Sequence, residues 1–125
     1  MKSKFFKKQN KLMTKCLVVI TTTNKMENAE KIATILLKNR LVACAQILSI
    51  KSFYWWENNI QKDKEFLLFL KTKSENYKVV EKKIIENHNY KLPEIIALEA
   101  SKGSRDYFEW IERTLNRKNK NKNLK

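Results

Sequence analysis

The sequence predicts an α+β subunit: a ferredoxin-like βαββαβ sandwich with an extra C-terminal helix. Three observations carry this. β-branched, aromatic or apolar runs at 16–23, 46–57, 65–72 and 95–99 have strand character. Helical spacing separates the first run from the second and the third from the fourth. The stretch 41–57, LVACAQILSIKSFYWWE, is about three times an ordinary strand of roughly 5–6 residues. A strand that long must bend at a bulge or project beyond its own domain. Trp55 and Trp56 on a projecting end need a partner subunit to cover them.

Each element has its own signal. Residues 16–23 (CLVVITTT) form a short buried strand. Asn24 and Glu27 have the spacing of a capping box. Ala29, Ile32, Ala33, Leu36 and Leu37 then give one apolar helical face, and Asn39 is a left-handed stop. The long strand follows, and Asn58-Asn59 sits in the polar turn ENNIQKDK. Residues 65–72 (EFLLFLKT) are apolar on both sides, as for a strand covered on both faces. Ser74 caps a helix over 75–87, whose Tyr77, Val80, Ile84 and His88 share a face. Pro93 marks the start of the fourth strand at 95–99. Ser104 caps the last helix, with Tyr107, Phe108, Trp110, Ile111 and Leu115 on its apolar side. Right-handed crossovers put the two main helices on one face of an antiparallel sheet. The other face is left for a second subunit.

The 125 residues make one domain, 42% hydrophobic. No apolar run nears the roughly 18 residues of a membrane span, so no membrane insertion is expected. The four apolar residues 17–20 are too short for a secretory core of about 7–15. The cytoplasm is the expected compartment. Cys16 and Cys44 lack CxxC spacing and are read as reduced thiols. Of the +14 net charge, residues 1–15 and 116–125 hold +11. These ends are expected to be flexible basic tails around a domain at 16–115. Lysine outnumbers arginine 23 to 4, a chain-wide bias that argues against a dedicated nucleic-acid surface.

A single glycine, Gly103, excludes a glycine-rich phosphate loop. With one histidine and no GxSxG, hydrolytic machinery is missing, and no enzyme is expected. A Cys44–His88 nucleophilic pair would need hydrogen-bond reach that the sequence does not supply. Both are also soft-to-borderline ligands suited to copper or zinc. One chain holds too few such residues for a closed four-ligand site, so other subunits would have to contribute. The alternative makes Cys44 a small packed residue and His88 a helix-end cap. Tyr54 and Trp56, with Lys71 and Glu94, are candidates to line a ligand cleft. The alternatives are interface packing for the aromatics and a solvating strand-end charge for Lys71.

Leu41, Ala43, Cys44, then Ser52, Tyr54, Trp56, then Glu65, Leu68, Lys71, Thr72 fall in ordered blocks. A further block is His88, Tyr90, Pro93, Glu94, Ile95, and Tyr107 with Trp110 follows. These motifs resemble the CutA divalent-cation-tolerance family over residues 16–115. The resemblance implies a ferredoxin-like subunit in a tight homotrimer, with strands two and three reaching between subunits. It further implies cation tolerance and copper binding. Its architecture is similar to trimeric PII-type signalling proteins, which makes a scaffold acting through a protein partner the second reading. Nucleic-acid binding through the basic tails is the third. The chain departs from the family at Thr21, where copper-binding members can carry Cys. It also departs at Asn87 and Asn89, at the places of a second His and a Pro, and at Asn58 in place of Gly.

Overall fold

In the computed structural model, which describes residues 15–117, the sandwich is present. In chain order the elements are β1 (Cys16–Thr23), α1 (Met26–Lys38), β2 (Cys44–Trp56), β3 (Asn59–Lys73), a 3-10 turn (Ser74–Asn76), α2 (Tyr77–Asn87), β4 (Ile95–Glu99) and α3 (Arg105–Asn116). The sheet order is β2-β3-β1-β4 with every neighbour antiparallel. The two basic tails lie outside the described residues apart from Lys15, Asn116 and Arg117.

The core follows from the two periodicities. α1 buries Ala29, Ile32, Ala33 and Leu36, and α2 buries Val80 and Ile84. They meet Val19, Leu68 and Leu70 on one face of the sheet. Alternation along β3 decides the rest: Leu68, Leu70 and Thr72 point under the helices, while Leu67, Phe69 and Lys71 point to the opposite face. Within one subunit β3 is therefore covered on one side only over most of its length. α3 lies over one end of the second face, where Phe108, Ile111 and Leu115 pack with Ala43 and Cys16.

Several local expectations need correction. The capping box does not form: Lys25 is the N-cap of α1 and no side chain caps it. Asn24 is engaged elsewhere, its Oδ1 accepting from Asn89 Nδ2 at 3.1 Å. The left-handed stop is Arg40 (φ 57), one residue late. Asn39 stays at φ −91 and donates its side-chain amide to the Ile35 carbonyl. Ser74 does not cap α2; a 3-10 turn comes first and α2 starts at Tyr77. Ser104 does cap α3, accepting from the Tyr107 N–H at 3.2 Å.

The largest difference lies in the hairpin. Its turn is Glu57-Asn58 (φ 50 and 65), and Trp56 pairs with Asn59 to close it. Two successive positive φ values are the signature of the turn whose twist matches a hairpin. Residues 59–64 belong to β3, which runs 15 residues, with its start six residues before the expected one. Their polar composition hid them because this part of the strand has no core to face. β1 pairs with β3 only from Lys73 back to Phe66. The rest of β3 pairs with β2 alone and projects as an arm of about 20–25 Å at the usual rise per residue.

Candidate site on the open sheet face

Register places Cys44 opposite Lys71, and Lys71 opposite Val18, so these side chains share the face that α1 and α2 leave free. Val18 in turn pairs with Leu98, and Ile20 with Ile96. Leu98 is 54% and Ile96 49% exposed, and Leu48 on β2 is 50% exposed. This is an apolar sheet face without a cover. Lys71 Nζ donates to Tyr107 Oη at 3.2 Å and stands 5.2 Å from that ring's centre, fixing α3 beside the face. Cys16 reaches the same end, where burial pushes its thiol upward and the Lys71 cation opposes the shift.

Tyr54 and Trp56 occupy the same face at the other end of the sheet, on the arm. Tyr54 Oη donates to the Asp63 carboxylate. Tyr54 pairs with Gln61, ten residues along β3 from Lys71. At about 3.3 Å per residue that is roughly 33 Å. Within one subunit, then, the arm aromatics and Lys71 do not come together. Glu94 is exposed, one residue before β4.

His88 occupies a different place. β4 starts at Ile95 opposite Thr21, leaving the end of β1 without a neighbour on that side. The loop after α2 fills the gap. His88 Nε2–H donates to the Thr22 carbonyl at 2.8 Å, and Nδ1 accepts from the Tyr90 N–H at 3.0 Å. These partners assign the neutral ring with its proton on Nε2. Thr21 Oγ1 lies 3.4 Å from the same nitrogen. Beside it, Tyr90 Oη donates at 2.6 Å to Glu65, a buried carboxylate. Burial, reinforced by that carboxylate, holds the Tyr90 phenol well above its ordinary value.

Behind His88 stands a residue that the sequence reading missed. Asn28 is buried in the first turn of α1; it accepts from Thr23 Oγ1 at 2.6 Å and from the Asn89 N–H at 3.3 Å. It donates to the Asn87 carbonyl at 2.8 Å. A polar residue four positions before Ile32, beside the apolar stripe, was the available signal. Asn87 and Asn89, two of the family departures, are thus tied into one network.

Both His88 nitrogens are engaged, and Cys44 lies at the other end of the face beside a lysine. Among the described residues no three His, Cys, Asp or Glu side chains gather as a metal-holding group. The described residues of one chain therefore bring no more than two such ligands together.

The His88 contacts set a pH response. Burial lowers its pKa from 6.5, and the Thr22 carbonyl and the Glu65 charge oppose that shift. A depressed folded value means the stabilisation is present above about 6.5, the unfolded value, and is lost as pH falls through the folded one. Urea unfolding between pH 7.5 and 5 should show the wild type losing stability more steeply than His88→Gln, which cannot titrate. Parallel profiles would rule out His88 as the source.

Comparison with known proteins agrees with this geometry. The family model described as CutA1 divalent ion tolerance protein matches residues 17–114. The Divalent-cation tolerance protein CutA of Pyrococcus horikoshii is 39% identical over 95 residues, 76% of this chain and 93% of that protein. The protein of that name from Archaeoglobus fulgidus is 37% identical over 97 residues, 78% of this chain and 95% of its own. The solved structure of the Archaeoglobus fulgidus protein, described as periplasmic, superposes with a TM-score of 0.78 at 36% identity, covering 81% of this chain and 99% of that one. CutA1 from Oryza sativa gives 0.79 at 33% identity, covering 82% and 95%. With the family match spanning nearly all the described residues and the same sandwich in its relatives, the chain belongs to the CutA1 divalent ion tolerance family.

Proposed function

We propose that the protein is a non-enzymatic homotrimer that serves divalent-cation tolerance by binding a cation or small ligand in clefts between subunits. The observation that carries this reading is the separation of Lys71 from Tyr54 and Trp56 at opposite ends of one strand pair. In this reading the arm, which leaves its own domain, brings Tyr54 and Trp56 to another subunit's Lys71 and Glu94. The bare apolar face supplies the surface on which copies associate. Relatives carry the divalent-cation tolerance name, which sets the ligand class.

In this reading Cys44 is the soft donor, since it shares the face with Lys71 and adjoins the cleft. His88 could join only by giving up a hydrogen bond to Thr22 or Tyr90. A copper-like cation would take its ligands from more than one subunit. Two free thiols suit a reducing, cytoplasmic compartment. No helix among the described residues is long and apolar enough to cross a membrane.

The test is copper(II) and zinc titration of the wild type, Cys44→Ser and His88→Ala. Copper affinity should fall about tenfold or more in Cys44→Ser, the scale of losing one ligand or its close support. It should change little in His88→Ala. Equal copper binding by wild type and Cys44→Ser would remove Cys44 from the site. Full binding by a monomeric variant would remove the inter-subunit cleft.

A further inference from the structure

The last turn of α3 borders a cavity of about 540 Å³ lined by Trp110, Arg113, Thr114, Asn116 and Arg117. This is within the roughly 300–1,000 Å³ of small-molecule sites. Two other segments meet its rim. Arg40 Nη1, from the turn after α1, donates to the Thr114 carbonyl at 3.3 Å. Lys73 Nζ, from the end of β3, donates to Asn116 Oδ1 at 2.6 Å. Four cations from three parts of the chain therefore converge here.

The kind of cation matters. In a chain with 23 lysines and 4 arginines, three of the arginines are at this one place. Lysine bias does not produce that concentration. Arg113 and Arg117 take no part in the Lys15–Glu99, Lys83–Glu86 and Arg105–Glu109 ion pairs. On α3, Glu109 pairs with Arg105, and Glu112 accepts at 3.4 Å from Asn116, a residue of the cavity lining.

Trp110 completes the set. It is 39% exposed, and Tyr107 stacks on it at 5.5 Å with 23° between the rings. Tyr107 does not line the cavity, whereas Trp110 does. A helix C-terminus by itself favours a nearby cation through its free carbonyls. It does not call for arginines from two segments around a concavity with an accessible indole. Guanidinium groups grip phosphate with paired N–H donors and an indole face stacks a base.

We propose that this cavity is a nucleotide site, with Trp110 stacking the base and Arg113 and Arg117 holding phosphate. Arg40 and Lys73 add positive charge at its rim. The nucleotide is either free in solution or part of a single RNA strand.

The test uses the full chain with two probes, ADP by calorimetry and fluorescein-labelled octauridylate by anisotropy. At least one should bind. Arg113→Gln with Arg117→Gln should weaken that binding about tenfold or more, and Trp110→Leu similarly, as for loss of one stacked base. Trp110→Phe, which keeps a ring face, should recover most of it and shows that the fold is intact. ADP binding that depends on Trp110 identifies a free nucleotide; octauridylate binding alone, with the same dependence, identifies the strand. Three results would overturn the proposal: neither probe binding at millimolar ADP or micromolar RNA, binding unchanged in the variants, or binding lost only when residues 118–125 are removed.

Discussion

Replacing Asn28 with Ala should destabilise the fold by about 2–4 kcal/mol in urea unfolding at neutral pH. Three groups lose their partner at once: Thr23 Oγ1, the Asn87 carbonyl and the Asn89 N–H. Thr23 is wholly buried and Asn28 nearly so, which keeps water from replacing the lost bonds freely. Leaving one buried polar group unsatisfied costs about 1–3 kcal/mol, and the three share one site, so the costs do not simply add. Asn28→Asp keeps the acceptor for Thr23 and Asn89 while losing the donor to Asn87, so it should fall between. The same substitution loosens the loop that carries His88, and the pH response of stability should flatten with it. A loss under about 0.5 kcal/mol for Asn28→Ala, the range of an ordinary surface substitution, would contradict this role.

Ile96→Asp combined with Leu98→Asp should convert the proposed trimer into folded monomers. Both side chains are about half exposed in a single subunit, so neither change opens a cavity in the core. Both point to the face without helices, opposite Ile20 and Val18. Packing that face against another subunit would strip water from two carboxylates with no partner assigned to them. The penalty for such a group is several kcal/mol each, more than an interface tolerates. Circular dichroism should remain that of the wild type while the sedimenting mass falls to one chain. An unchanged mass would mean that another surface makes the assembly.

The sandwich was legible because its core obeys simple periods. Ala29, Ile32, Ala33 and Leu36 on α1, and Val80 and Ile84 on α2, repeat at helical spacing and are the residues that are buried. Pro93 marked the approach to β4, and Ser104 capped α3 as expected. The arm was only half visible. Residues 44–56 carry aromatics that identify a strand, but their partners at 59–64 are polar and have no core beneath them. Local chemistry also chose among equivalent neighbours: Asn24 went to Asn89 in place of the helix N-terminus, and Arg40 took the left-handed position expected of Asn39. For the site, the sequence named Cys44, Lys71, Tyr54, Trp56, Glu94 and His88. It could not show that Lys71 and Tyr54 sit at opposite ends of the sheet, because that follows from register. The Asn28 hub and the cationic end of α3 escaped for a related reason. Asn28 joins a loop 59 and 61 positions away, and Arg40 and Lys73 reach the end of α3 across 74 and 43 positions, so the local signals at Asn28 and along α3 show only part of each.

Sedimentation equilibrium of the unmodified chain, across a wide dilution range, tests the central claim most directly. An inter-subunit cleft completed by a neighbour's arm predicts a mass three times that of one chain, held at low concentration. A monomer throughout that range, with Trp55 and Trp56 left bare on the arm, would contradict it.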